Sequence, residues 1–286
     1  MVDAMPPSSV LHGFTVGITA DRRWDEQAAL FERRGATVVH APTIRTLPLG
    51  SDAPLRAATD ALVARPPDVL LANTGIGMRA WFAAADGWDL GTALHDALAG
   101  THIVARGPKA SGAVHSAGLE VEARAASERL SEAVDLVVAR MRRGDRVAVQ
   151  LDGGGSAPEL ERLRAAGAEL VEIPVYEWKL PEDHGPAEHL IDELVAGRVH
   201  AVTFTTHAAV QNLFTIAAEH DLDGALRARL DDGRVVVGCV GPVCADGAVA
   251  AGLDRDRIVV PDAYRLGPLV RAVASRLIEL SAQAPP

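Results

Sequence analysis

Short apolar runs alternate along this chain with stretches whose apolar positions recur every three to four residues; the first pattern marks strands, the second helices. Residues 15–19 read as a strand, residues 24–34 as a helix stopped by Gly35, and residues 37–40 as a second strand. A helix at about residues 54–64 leads to an apolar strand at 69–71. The helix after it carries Met78, Trp81, Phe82 and Ala85 at i, i+3, i+4 and i+7, one apolar face. Residues 91–98 read as helix and 102–105 as strand, with helices following. The remainder repeats this order, with strands at 147–151, 170–173, 201–204 and 235–240 and helices at 158–166, 187–196 and 208–219. Short strands separated by helices predict parallel sheets covered on both faces, and so an α/β protein of two doubly wound parallel-sheet domains, with ligand chemistry where strand carboxyl ends meet helix N-termini.

The two halves are also copies of one another. Residues 62–74 align with residues 194–206 at an offset of 132, which also carries Thr74 to Thr206, Phe82 to Phe214, Gly35 to Gly167 and Pro42 to Pro174. An offset of 134 brings Gly107-Pro108 onto Gly241-Pro242 and Ala117-Gly118-Leu119 onto Ala251-Gly252-Leu253, a loop insertion of two residues. Ordered recurrence of Gly, Pro, Thr and Phe identifies an internal duplication.

A length of 286 residues suits about two domains. Hydrophobic residues at 48% and charged residues at 23% exclude disordered and fibrous classes. The net charge of −10 argues against a surface built to follow phosphate backbones, so no nucleic-acid partner is expected. No apolar run is long enough for a membrane span and Met1 to Ser9 do not read as a leader, which makes the expected location cytoplasmic. Cys239 and Cys244 lack the partners that a disulfide framework or a zinc site needs, and no metal is expected.

Four loops lie at strand ends and form two repeat-related pairs, which suggests one shared interdomain cleft. In the first pair, Asn73-Thr74-Gly75-Ile76-Gly77 and Thr205-Thr206-His207 precede helices; their hydroxyls and free backbone N–H groups either hold an anion or serve as plain N-caps. In the second, Gly107-Pro108-Lys109-Ala110-Ser111 and Gly241-Pro242-Val243-Cys244-Ala245 combine close backbone approach with a fixed turn. Residues 75–80 match the dinucleotide pattern G-x-G-x-x-A but fail its context, since the acidic residue due at the end of a following strand falls where residues 91–98 read as helix. Asp152-Gly153-Gly154-Gly155-Ser156 lacks a P-loop ending and reads as a turn. Cys244 is open to two readings, a thiol activated at a helix N-terminus or a small buried turn residue. His207 likewise sits where a ligand could bury it or solvent could cover it.

Strand, Thr-Thr loop, helix and Gly-Pro loop, each occurring twice, with Tyr176 just after Ile173-Pro174-Val175, resemble the uroporphyrinogen-III synthase family over nearly the whole chain. The resemblance implies that the domains are not sequential: residues 1–43 with 178–286 would form one and residues 44–177 the other, joined by two connecting strands near residues 43–48 and 175–181. It implies a cofactor-free, monomeric enzyme that takes the linear tetrapyrrole hydroxymethylbilane, a polycarboxylate, and loses water, inverts the terminal pyrrole ring through a spiro intermediate and closes the macrocycle. Substrate would be held by Thr74, Gly75, Arg79, Lys109, Ala110, Ser111, Thr205, Thr206, His207, Gly241, Pro242 and Cys244, with Tyr176 assisting departure of the hydroxyl. After each Gly-Pro turn the family commonly places Thr; here the positions hold Ala110 and Cys244. Similar domains also occur as ligand-sensing modules of actinobacterial transcriptional regulators, fused to a winged helix. This chain ends after its last expected helix with Ser281-Ala282-Gln283-Ala284-Pro285-Pro286 and carries no basic recognition helix.

Overall fold

The computed structural model describes residues 10–49, 52–154 and 158–283. Met1 to Ser9, Gly155, Ser156 and Ala284 to Pro286, mentioned above, lie outside them. In chain order the first copy of the duplication gives β1 (Thr15–Ile18), α1 (Trp24–Glu32), β2 (Thr37–His40), β3 (Arg45–Pro48), α2 (Ala53–Ala64), β4 (Val69–Ala72), α3 (Gly75–Gly87), α4 (Gly91–Leu98), β5 (His102–Ala105), α5 (Pro108–Ser116), β6 (Ala123–Arg124) and α6 (Leu130–Val138). The second gives β7 (Arg146–Gln150), α7 (Pro158–Ala165), β8 (Glu169–Ile173), β9 (Tyr176–Lys179), α8 (Gly185–Val195), β10 (Ala201–Phe204), α9 (His207–Glu219), α10 (Asp223–Asp231), β11 (Val236–Cys239), α11 (Pro242–Ala250), β12 (Ile258–Val259) and α12 (Leu266–Gln283).

The chain divides into two units, Thr46–Trp178 and the remainder, which runs up to Arg45 and resumes at Lys179. The unit Thr46–Trp178 contains a five-stranded parallel sheet in the order β6-β5-β4-β7-β8. The other contains a parallel sheet in the order β12-β11-β10-β1-β2. Both passages of the chain between units run through β3 and β9, which form a separate two-stranded sheet. Each large sheet therefore mixes the copies: β1 of the first copy pairs with β10 of the second, and β7 of the second pairs with β4 of the first.

Strand sequence explains the layers. Val69-Leu70-Leu71-Ala72 is buried throughout, as a central parallel strand covered on both faces must be. Successive side chains point to opposite faces, so Leu70 and Ala72 join Trp81, Ile103 and Ala148 in one core while Val69 and Leu71 join Val104, Val147 and Val149 in another. Trp81, fully buried on α3, donates its indole N–H to Thr59 Oγ1 at 2.9 Å, which leaves no polar atom of the ring unpaired. Gly35 and Gly167, copies of each other, follow α1 and α7 with φ of 91° and 93°, the left-handed conformation that ends a helix most readily at glycine. Among the described residues no helix is long and apolar enough to cross a membrane, and no cluster of His, Cys, Asp or Glu is suited to a metal ion.

Candidate functional site

The carboxyl end of β4 runs into α3 through Asn73 and Thr74. Thr74 is extended (φ −133°, ψ 140°) and its hydroxyl accepts from Gly77 N at 3.1 Å, so it caps the helix. Its copy Thr206 has φ −142° and ψ 153° and accepts from Ala209 N at 3.1 Å, capping α9 in the same way. The N-cap role is thus real in both units, and at Thr74 it is combined with a second one. Gln150, fully buried at the end of β7, accepts through Oε1 from Thr74 N at 2.7 Å and from the Thr74 hydroxyl at 3.2 Å, while its Nε2 donates to the Leu151 carbonyl. Tyr176, the first residue of β9 and only 8% exposed, donates its hydroxyl to Thr74 Oγ1 at 3.3 Å, long for two hydroxyls and so readily exchanged. Asn73 is buried and its carboxamide oxygen has no protein partner.

Burial pushes the Tyr176 phenol above its ordinary value of 10.0; the Thr74 hydrogen bond pulls it back, the Asp152 carboxylate raises it further, and the Arg106 guanidinium and the Gly153 N–H lower it. Burial wins, and the hydroxyl keeps its proton at neutral pH. Arg106 and Asp152 face each other at 3.8 Å, and the Trp178 ring lies 6.2 Å from that of Tyr176. Buried, protonated and loosely bonded, the phenol is suited to giving a proton or hydrogen bond to a departing oxygen.

The second loop of this unit packs on the first. The Cβ of any side chain at Gly75 would collide with the carbonyl oxygen of Lys109, so glycine here lets α3 and α5 touch at their N-termini. Lys109 is exposed, whereas Ala110 and Ser111 are buried in that contact. Arg79 is exposed one turn along α3 and lines, with Phe82, Asp86, Thr92, His95 and Ser116, a groove of about 670 Å³ between α3, α4 and α5. The groove includes neither Thr74 nor Tyr176.

In the other unit the small residue has changed sides. His207 opens α9, partly buried, with its Nδ1 2.8 Å from where a Cβ on Gly247 of α11 would stand. Thr205 is partly exposed beside it, and Gly241 and Pro242 lead into α11 with Gly241 extended at φ −171° under the ring of Tyr264. Cys244 is buried and its thiol donates to the Thr206 carbonyl at 3.4 Å. Burial drives that thiol well above its usual range, and the neighbouring Cys239 thiol adds to the shift. Of the two readings of Cys244, the small buried turn residue is the one that fits, because desolvation outweighs the helix N-terminus at this thiol; both cysteines are free and buried. The helix over Gly91–Leu98 likewise removes the strand that a dinucleotide site would need after residues 75–80.

Gln150 is the residue of this cluster that sequence reading passes over. It ends β7 after the apolar run Val147-Ala148-Val149, at a position where the other copy has Ile18; a carboxamide at the buried carboxyl end of a strand is the signal that marks it.

The family model described as Uroporphyrinogen-III synthase HemD matches residues 25–271. A uroporphyrinogen III synthase of Thermus thermophilus, solved as a triple mutant, is 28% identical and superposes with a TM-score of 0.74 over 93% of this chain and 99% of its own. The wild-type protein in another crystal form is 29% identical with a TM-score of 0.61 over 94% and 99%. A Methanothermobacter thermautotrophicus protein named "Putative uroporphyrinogen-III synthase" is 38% identical over 39% of this chain, a match that spans 42% of that relative's length. The reading as a sensing module of a transcriptional regulator gains no support from these matches. With the duplicated α/β units, the two parallel sheets and a matching region that covers most of the sequence, the chain belongs to the uroporphyrinogen-III synthase family.

Proposed function

We propose that this chain closes hydroxymethylbilane to uroporphyrinogen III, with inversion of the terminal pyrrole ring and loss of one water. The observation that carries this reading is the Tyr176 hydroxyl, buried and bonded to Thr74 at the head of α3. In the first step the phenol gives its proton to the departing hydroxyl as the carbon–oxygen bond breaks, and water leaves. The nitrogen lone pair of the ring takes up the resulting positive charge. Attack by the substituted carbon of the terminal ring on that cationic methylene gives the spiro intermediate. The bond from that carbon to its original methylene then breaks, the unsubstituted carbon of the same ring bonds to the cationic methylene so released, and the proton that this carbon loses as the ring regains aromaticity returns to the phenolate. The remaining task is to fold a flexible polycarboxylate into the curve that reacts. Backbone N–H groups at the starts of α3 and α9, with Lys109, Ser111, Thr205 and Thr206, supply donors for carboxylates in each unit.

The spontaneous reaction of hydroxymethylbilane gives the I isomer, so the measure is the III isomer formed when the substrate is generated by a coupled enzyme and the products are separated. The wild type is expected to yield the III isomer. Tyr176→Phe is expected to lower kcat by about a hundred- to ten-thousandfold, the scale of a positioned proton donor. Formation of the I isomer alone by the wild type would refute the reaction, and an undiminished kcat in Tyr176→Phe would refute the role of the phenol.

A further inference from the structure

We propose that Gln150 is a positioning residue for Tyr176, acting through Thr74; the inference rests on the reading of Tyr176 as the proton donor. A hydroxyl has one proton to give and two lone pairs to accept with. At Thr74 all three are assigned: the proton goes to Gln150 Oε1, and the lone pairs take the Gly77 N–H and the Tyr176 O–H. Gln150 thereby leaves Thr74 nothing to donate toward Tyr176, so the phenol must be the donor in that pair.

The carboxamide is itself fixed. Its oxygen also accepts from Thr74 N, its nitrogen donates to the Leu151 carbonyl, and it is fully buried. Gly77 makes room for it: a Cβ there would collide with Gln150 Nε2 and stand 2.8 Å from Thr74 Oγ1. Without the carboxamide the Thr74 proton would turn to the Tyr176 oxygen, the nearest remaining acceptor of the cluster. The hydrogen bond would reverse, and the phenolic proton would lose its fixed direction. The proton that Gln150 keeps on the Thr74 side is handed from there to the departing oxygen only in the transition state, so the loss should fall on kcat rather than on KM.

The test uses the whole chain with 13C at tyrosine Cζ in a Tyr264→Phe background, which leaves Tyr176 as the single tyrosine of the natural two. In that background Gln150→Leu is expected to move the Cζ resonance away from its phenolate value, as a hydroxyl turned from donor to acceptor does. Gln150→Glu, which keeps an oxygen facing Thr74, is expected to restore it. An unmoved resonance in folded Gln150→Leu would overturn the proposal. In steady state Gln150→Leu is expected to lower kcat about tenfold with KM within about twofold, the effect of losing, of its three hydrogen bonds, the one that holds the Thr74 hydroxyl, and to add nothing further in a Thr74→Val background. Equal losses in both backgrounds would show that Gln150 does not act through Thr74 and would overturn it as well. Gln150→Asn, which draws the oxygen back by one methylene, supplies the same readouts if the leucine variant does not fold. The two readings fail separately: an unchanged kcat in Tyr176→Phe refutes the proton donor and leaves the resonance to decide Gln150, whereas a loss in Tyr176→Phe with none in Gln150→Leu refutes Gln150 alone.

Discussion

Burying a phenol keeps its proton in place and charges the folded state for that service at alkaline pH. Because the folded value for Tyr176 is raised above 10.0, the folded chain holds the proton at pH values where the unfolded chain has released it. The contribution to stability is complete below pH 10.0 and is lost as pH rises through the folded value. Melting temperatures followed from neutral to alkaline pH should therefore fall less steeply for Tyr176→Phe than for the wild type; parallel curves would contradict the shift. Ala110 makes a second case. It is 2% exposed, so a larger side chain there would enter the packed interior between α3 and α5. Ala110→Thr is expected to cost about 1–3 kcal/mol of stability by overpacking, measured by denaturant titration, with no gain in rate. At this scale the sequence already pointed to Thr74, Gly75, Ser111 and Tyr176 through loop position and resemblance. It could not show that Thr74 and Tyr176 are bonded, because 102 positions separate them and a long-range pair leaves no local pattern.

Elements with several turns or a full apolar run were legible, since one buried face imposes its own period. The strands over Thr37–His40, His102–Ala105 and Ala201–Phe204 have the expected bounds, and α9 begins one residue earlier than expected. Two-residue strands such as β6 and β12 carry too few positions to show a period, and β3 and β9 came from the resemblance alone. Helix α10 was not separately expected, although the offset of 132 from α4 points to it. One element junction has a pH dependence of its own. His200, just before β10, accepts from Thr15 N at 3.0 Å through Nδ1 and meets the edge of Phe14 at 5.4 Å, which ties the start of β1 to that of β10. Burial lowers its pKa below 6.5, and the nearby Arg229 charge lowers it further. A depressed base is neutral when folded, so its contribution is present above pH 6.5 and is lost as acid protonates the unfolded chain first. Denaturant midpoints should drop between about pH 7 and pH 5, and the drop should be smaller in His200→Gln; an equal drop in both would contradict this role.

At the scale of the molecule, the duplication was plain in the sequence, but the exchange of β1 and β7 between copies was not, because a repeat shows what is similar and is silent on what pairs. The resemblance supplied the crossed arrangement. All five strands of the sheet β6-β5-β4-β7-β8 lie within Thr46–Trp178. A fragment of those residues is expected to fold alone, with dispersed amide resonances and a cooperative melt, while a cut between the sequence copies near residue 143 should leave two fragments that each lack strands of both sheets. Cooperative folding of the separated copies would refute the prediction. The crossed pairing also sets a timetable for synthesis. When β1, α1 and β2 leave the ribosome, the strand on which β1 must pair is still untranslated, about 160 residues away, and at about 5–20 residues per second it arrives some 8–30 s later. The intervening unit can complete its own sheet in that interval, so the N-terminal segment waits with the apolar residues Val16, Ile18 and Phe31 uncovered. Nascent chains stalled before residue 201 should for that reason bind a hydrophobic-segment chaperone through their first 40 residues, and those stalled after the last strand should release it.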